Sequence, residues 1–412
     1  MCVCLFDFPN DLQEIFDYLN KNGAKPIVVG GYVRDRLFGL KKTKDIDIEV
    51  YNISSYEKLT ALLEPFGKVN VVGKSFGVCK LKLKSGVYDF SLPRTETKTA
   101  QGHKGFRVHT NASLSFKEGA KRRDFSINAI GYNPATKQLL DPYGGLKDIQ
   151  TKTLRYIDKK TFQEDPLRVL RGAVFYARFD LHVEKELFGV CSVMVRNKAL
   201  EELVKERVYQ ELLKLFTQAK RPSKALRLLK KFGNVPFFTP LFCLEANSFE
   251  HTLSAIDNLA KNKVTQLALY FSALALHVND KEEFVRGFTC EKKLLKKVQN
   301  ILSCYQDAKE IAFGECSDYE VGKLATKCNI EEVCTFLEAL FLTQKSSFSR
   351  LRKKAKKLGV LTKAQTPLIT GKELIKAGLT PSKEFKEILE RLYELQLQKN
   401  LNKEELLGTL FD

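Results

Sequence analysis

At 412 residues the chain is too long for one hydrophobic core, so about three domains are expected. Its composition, 44% hydrophobic and 28% charged, is that of an ordinary soluble globular protein and excludes a fibrous or disordered chain. A net charge of +19 turns attention to polyanions, meaning nucleic acid or an acidic membrane surface.

In chain order, Leu12, Ile15, Phe16 and Leu19 carry the apolar spacing of an amphipathic helix over 11–20. Pro26 to Val29 reads as a buried strand, Gly30-Gly31 as a turn, and Tyr32 to Phe38 as a short helix. Asp45 to Tyr51 alternates strictly and is expected as a strand, with further strands over 68–83 and 86–92. After about residue 150 helical periodicity takes over. Strands first and helices afterwards predict an α+β fold, a head with a mixed β-sheet and flanking helices followed by an all-helical neck, body and tail. The divisions expected are 1–150, 151–235, 236–345 and 346–412, with joints at the Pro/Phe-rich stretch 233–240 and near Arg350.

No apolar run reaches the roughly 18 residues of a membrane-spanning helix, and Val264 to Val278 reads as a buried helix instead. The N-terminus lacks a basic region and a cleavage site, and the ten cysteines form neither a zinc pattern nor a disulfide framework. A cytoplasmic setting with reduced thiols is the expectation, and nothing implies a stable protein partner.

Asp45 and Asp47 stand two apart in a strand, so both carboxylates leave one face while Ile46, Ile48 and Val50 leave the other. Like charges that close call for a hard cation with oxygen ligands, Mg²⁺ above all. Asp89, between inward-facing Tyr88 and Phe90, offers a third carboxylate from a neighbouring strand. A lone Asp-x-Asp is more often a solvated edge strand. Here Gly30-Gly31 precedes a helix and supplies backbone N–H groups for phosphate, with Arg34 in reach of a phosphate oxygen.

Gly30-Gly31-x-Val33-Arg34-Asp35 followed by Asp45-x-Asp47 resembles the class II nucleotidyltransferases, that is, tRNA CCA-adding enzymes and bacterial poly(A) polymerases. Arg122 to Ala129, Asp141 to Gly145, Glu164 to Arg168 and Glu206 to Leu212 resemble their later motifs, continuously over about 25–240 and more weakly at Thr370 to Leu374. The resemblance implies catalytic Asp45, Asp47 and Asp89, with the metal on Asp45 and Asp47. It also implies Arg123 facing the triphosphate, Asp124 accepting from the ribose hydroxyls, and Asn128 assisting at the phosphates. The segment 93–107 is similar to the family's mobile loop, which switches specificity from C to A.

Chemistry explains the fourth motif as well. A carboxylate accepts from the exocyclic amine of cytosine or adenine while an arginine donates to the adjacent ring nitrogen, so Asp165 with Arg168 would select C and A together. The family implies that Arg171 helps to hold this pair. A bland alternative is an acidic helix start with an Asp165–Arg168 ion pair.

In the helical part, Arg350, Arg352, Lys353, Lys354, Lys356 and Lys357 form a run with no acid inside it, and Arg221, Lys224, Arg227, Lys230 and Lys231 a second. Both read as tracks for RNA backbone, Arg350, Lys353, Lys354 and Lys357 foremost, with Phe232 and Phe348 as core residues. His251 and His277 resemble an HD phosphohydrolase remnant that lacks its aspartate, since Val278 follows His277. The function expected is CCA addition to tRNA from CTP and ATP. A poly(A) polymerase or an A-only enzyme is the alternative, disfavoured by Ser75 in Val72-Gly73-Lys74-Ser75, where a second basic residue would stand.

Overall fold

The computed structural model describes residues 6–40, 45–72, 78–98, 106–111, 113–399 and 401–410. The chain divides into two compact units, Met1–Leu215 with Lys224–Pro236, and Phe216–Ser223 with Phe237–Asp412. The fold is α+β, with a mixed-sheet N-terminal part and a helical remainder.

In the first unit a seven-stranded sheet is built from β1 (Lys25–Val29), β2 (Asp47–Tyr51), β3 (Val69–Val72), β4 (Val78–Lys82) and β5 (Val87–Ser91), with β8 (Gly131–Asn133) and β9 (Gln138–Leu140). A separate hairpin pairs β6 (Arg94–Lys98) with β7 (Phe106–Thr110). The spatial order is β3-β4-β5-β2-β1-β8-β9, and only β2 and β5 run parallel. Helix α1 (Asn10–Lys21) buries the four apolar residues its spacing picks out, and α2 (Gly31–Leu37) and α3 (Tyr56–Leu63) add Val33, Leu59 and Leu63 to the same core. Ile48 and Val50 of β2 and Phe90 of β5 point into it. The opposite face of the sheet carries a smaller cluster, Ile27, Val29 and Tyr51 packed by Phe116 and Leu140. The same face bears Asp47, which is exposed, and Glu49, which is buried.

Beyond the sheet, α4 (Phe116–Ala120), α5 (Gly145–Gln150) and α6 (Lys159–Glu164) lead to α7 (Leu167–Phe179), α8 (Lys185–Arg196), α9 (Lys205–Gln218) and α10 (Ser223–Phe232). Two sequence expectations are corrected here. Strand β2 begins at Asp47, so Asp45 lies in the irregular segment before it. Its alternation does not divide core from solvent either, because Glu49 and Tyr51 are as buried as Ile48 and Val50. Residues 99–105, within the segment 93–107 expected as a specificity loop, and residues 73–77, which include Ser75, lie outside the described residues.

The second unit is helical: α11 (Thr239–Phe242), α12 (Ala246–Lys261), α13 (Leu267–Ala275), α14 (Lys281–Arg286), α15 (Lys292–Phe313), α16 (Asp318–Lys327), α17 (Ile330–Leu340) and α18 (Lys345–Lys357), then α19 (Gly371–Lys376), α20 (Phe385–Lys399) and α21 (Lys403–Gly408). Helix α13 is apolar all round and buried from Ala268 to Ala275. Ser317 with Glu320, Thr370 with Glu373 and Asn402 with Glu405 form capping boxes that set three helix starts. No helix among the described residues is long and apolar enough to cross a membrane.

Candidate active site

Asp47 and Asp89 are direct register partners on the parallel strands β2 and β5, so their carboxylates leave the same sheet face. Asp89 also meets Lys80 of β4 at 3.2 Å. Although water reaches Asp47, the surrounding protein pushes its pKa up. Arg123 opposes that rise, and repulsion from Asp89, Asp45 and Glu49 adds to it. This is an excess of hard oxygen charge, and it fits a divalent cation. Asp45 and Asp47 would hold it. The expected gathering of three carboxylates is corrected, however: among the described residues no three acidic, histidine or cysteine groups stand together as a ready metal site.

Gly30 adjoins this face. Its φ of 73° favours glycine, and a Cβ there would stand 3.3 Å from Asp47 Oδ2 and 3.5 Å from Arg123 Nη1. The start of α2 has no side-chain cap, which leaves its backbone N–H groups to a ligand. With seven residues α2 has little macrodipole, so those N–H groups rather than the dipole make the cradle. Arg123 lies beside it, donating from Nη2 to Glu49 at 2.7 Å, while its buried Nε finds no partner among the described residues.

Glu49 is the residue that sequence reading passed over. Burial would raise its pKa, yet Arg123 and Arg122 outweigh burial and hold the carboxyl below its usual range, with Tyr51 donating at 2.8 Å. The available signal was the ladder of acids at 45, 47 and 49, whose last member also faces the arginines of the second motif.

Arg34, expected at a phosphate, is instead buried. Its guanidinium bonds Asp35 Oδ1 at 2.6 and 2.8 Å and Asn128 Oδ1 at 2.7 Å, and it lies over the rings of Phe175 and Phe179. Asn128, likewise expected at the phosphates, hands its amide N–H to Asp124 Oδ1 at 2.7 Å. Asp124 further accepts from Phe125 N at 2.9 Å and, on Oδ2, from Arg171 Nε at 2.7 Å, with Nη2 of the same guanidinium in ion-pair contact at 2.7 Å. Burial works against its charge, but Arg171 and Asn128 hold the pKa below the usual aspartate range. With three hydrogen bonds and the rest of the Arg171 guanidinium against it, the carboxylate is well occupied, so a ribose hydroxyl would compete with these donors. Arg171 continues to Glu211 at 3.6 Å, and the charge of Asp165 acts on it as well.

Asp165 lies in extended backbone between α6 and α7, one residue before Pro166, not on the helix. Arg207 of α9 grips its two oxygens at 3.1 and 2.8 Å. Arg168, in the first turn of α7, holds the carbonyls of Thr161 at 2.6 Å and Arg122 at 2.8 Å. Leu167 N also donates to Asp165 Oδ1 at 3.2 Å, so the lone pair left on this carboxylate is on Oδ2, and the Asp165 acceptor and the Arg168 guanidinium are each held in place by protein partners. The third motif is structural: Asp141 accepts from Gly145 N at 2.7 Å and Leu146 N at 2.9 Å, and a Cβ on Gly145 would meet Ser126 O at 2.3 Å.

Comparison with known proteins agrees with this geometry. Residues 27–155 match the family Poly A polymerase head domain, and residues 261–409 match tRNA nucleotidyltransferase domain 2, putative. The Multifunctional CCA protein of Nitrosospira multiformis is 32% identical over 293 residues, covering 67% of this chain and 68% of that protein. The chain belongs to the CCA-adding nucleotidyltransferase family. Its namesake in Chromobacterium violaceum is 39% identical over 213 residues, 52% of this chain and 49% of the relative, so this nucleotidyltransferase spans about half the length of that protein. A CCA-adding enzyme of Bacillus stearothermophilus in complex with CTP shares the fold, with a TM-score of 0.76 at 22% identity, covering 97% of this chain and 96% of that one. The Thermotoga maritima CCA-adding enzyme complexed with tRNA gives a TM-score of 0.68 at 23% identity, with 98% and 94% covered. Nucleotidyltransferases of this family use divalent metals.

In the helical part of this nucleotidyltransferase the basic run on α18 departs from expectation. Arg350 donates to Ala312 O and Gly314 O, both at 2.6 Å, and so caps the end of α15. Arg352 pairs with Glu331 and Glu338 at 2.9 and 2.5 Å, and Lys354 with Asp318 at 2.5 Å. The acids absent from the run itself come from α16 and α17. Lys353, Lys356 and Lys357 are exposed and have no acidic partner among the described residues. Phe232 and Phe348 are core, as expected. His251 Nδ1 and His277 Nε2 stand 3.0 Å apart, and His251 Nε2 stands 3.2 Å from Leu340 O.

Proposed function

We propose that this enzyme builds the 3′-terminal CCA of tRNA from CTP and ATP. The RNA 3′-hydroxyl oxygen bonds to the nucleotide α-phosphorus, the bond from that phosphorus to the bridging oxygen breaks, and pyrophosphate leaves. The observation that carries this reading is the acceptor–donor pair Asp165 and Arg168, each immobilised by its own protein partners in the compact unit that also holds the Asp47–Asp89 face. An acceptor beside a donor suits the Watson–Crick edges of cytosine and adenine and mismatches those of uracil and guanine. The relatives' names, Multifunctional CCA protein, support it.

Asp45 and Asp47 are assigned Mg²⁺, which when bound supplies charge to activate the attacking hydroxyl and screen the triphosphate. The protein's own part is positioning. Gly30 and Gly31 present backbone N–H groups to phosphate oxygens, and Arg123 adds charge beside them. Asp124 anchors Arg171 and Asn128, and it reads the sugar through exchange with one of those donors. Lys353 and Lys357 contact RNA phosphates, while Arg350 and Lys354 act mainly within the protein. The same reading assigns the cytoplasm, where charged nucleotides and tRNA are available.

The test is incorporation into tRNA lacking its CCA, given CTP alone, ATP alone or both. Addition of two C residues, and of A only after them, is expected. Long A tails from ATP alone would replace this reading with poly(A) polymerase, and a single A on RNA already ending in CC, with no C added, would make it an A-only enzyme.

A further inference from the structure

Within the second compact unit a cavity of about 660 Å³ opens where the chain leaves α9, against the C-terminal end of α12. Its floor is apolar. Phe216 stacks on Tyr270 with ring centroids 4.6 Å apart, and Ala219 and Val264 line the same surface. Its rim is cationic, formed by Lys220, Arg221, Lys261 and Lys263, all exposed. The one acid in the lining, Asp257, is already engaged. It accepts from Ser223 N at 2.9 Å and Ser223 Oγ at 2.6 Å, and Arg221 stands 3.7 Å away.

Helix ends account for only part of this charge. Lys261 occupies the last turn of α12, where a cation complements the helix carbonyls. Lys220 and Lys263 lie outside both helices, and neither pairs with an acid among the described residues. Cations gathered around a low-dielectric hollow repel one another, and a bound anion relieves that repulsion. The hollow is of the size that accommodates a nucleotide-sized ligand, about 300–1,000 Å³. Long flexible lysines with no rigid forks suit backbone charge rather than base edges.

We propose that this basin binds the sugar–phosphate backbone of the RNA substrate, with Lys220, Lys261 and Lys263 on its phosphates; the proposal rests on the tRNA reading above. An acidic polypeptide is the competing occupant. The decisive experiment uses the full chain with K220Q/K261Q/K263Q and measures the affinity for tRNA lacking CCA across a salt series, alongside CTP affinity and thermal melting. Each phosphate contact contributes a slope of about 0.7–0.9 in log affinity against log salt, so the slope should fall by about 2 and the affinity at 0.1 M salt by about tenfold or more. CTP affinity and melting should not move.

Unchanged tRNA affinity and slope would overturn the proposal. So would poly-glutamate binding that the substitutions abolish while tRNA binding persists. Should the triple variant melt early, the three single variants carry the test, each losing about one unit of slope. Failure of the wild type to extend tRNA in the nucleotide assay would instead strike the function itself.

Discussion

The two compact units use charge in opposite ways. In the first, arginines meet fixed carboxylates: Arg34 with Asp35, Arg123 with Glu49, Arg171 with Asp124 and Arg207 with Asp165. Against that paired background the acids of the sheet face stand out as under-neutralised. In the second unit Lys353, Lys356 and Lys357 of α18 and Lys220, Lys261 and Lys263 of the basin around Phe216 pair with no acid among the described residues, whereas Arg350, Arg352 and Lys354 of α18 are consumed by the fold. Charge that must hold a small ligand in one pose is braced by buried partners, whereas charge that tracks a long flexible polyanion is left mobile on exposed stems.

The sharpest way to break this contrast is at Asp47. Asp47→Asn should lower nucleotide incorporation about a thousandfold or more, which is about 4 kcal/mol of barrier, measured with saturating tRNA and CTP. Because the Asp47 pKa is raised in the fold, its ionised form weakens the metal-free protein at neutral pH. The variant should therefore melt no earlier than wild type without metal. A drop in melting temperature would mean that the carboxylate is structural.

Asp124 should behave in the reverse manner. Asp124→Asn leaves the half-buried Arg171 guanidinium beside a neutral amide, with Glu211 as its remaining acid, and should cost about 1–3 kcal/mol in denaturant unfolding. The folded pKa lies below the ordinary 3.8, so the stability this group provides is full above that value and is lost as pH falls through the lowered one. In the variant that acid-side loss should be missing.

Gly30→Ala tests the close approach to Asp47. A positive φ costs about 1 kcal/mol in a residue with a side chain, and the added methyl presses on Oδ2, so roughly tenfold slower turnover with a cooperative fold is expected. Asp165→Ala should narrow the preference of CTP over UTP by about 10–100-fold, equivalent to about 1–3 kcal/mol of lost discrimination. Equal losses for both nucleotides would reduce Asp165 to a partner of Arg207.

The smallest effects divide α18. Arg352→Ala should destabilise by about 1–2 kcal/mol, a value discounted for the partial exposure of its two glutamates, with little change in tRNA affinity. Lys353→Gln should leave melting unmoved and lower the salt slope of tRNA binding by about one unit.

Much of the fold was legible because it rests on local pattern. The α1 spacing, the glycine turn at 30–31, the inward Tyr88 and Phe90 around Asp89, and the all-apolar α13 each follow from the period of a helix or strand. The motif residues of the first unit were also found by sequence, but several of their roles were not. Arg34 and Asn128 look exposed and ligand-facing in one dimension, yet both are buried hydrogen-bonding partners. Arg171 turned to Asp124, and Arg207, 42 positions away, took Asp165. Glu49 was hidden because an alternating strand implies one wet face, and tertiary packing covered that face with two arginines.

By itself, the sequence determined which residue types stand where: the acids at alternate positions of a strand, the glycine with no side chain, the carboxylate three residues from an arginine, the excess of lysine. Those depend on backbone periodicity and side-chain chemistry, both local properties. Only the tertiary structure decided who neutralises whom. Pairing energies depend on distance and on the solvent left between charges, and both are set by segments that arrive from tens to more than a hundred residues away, as Arg178 does at Asp35.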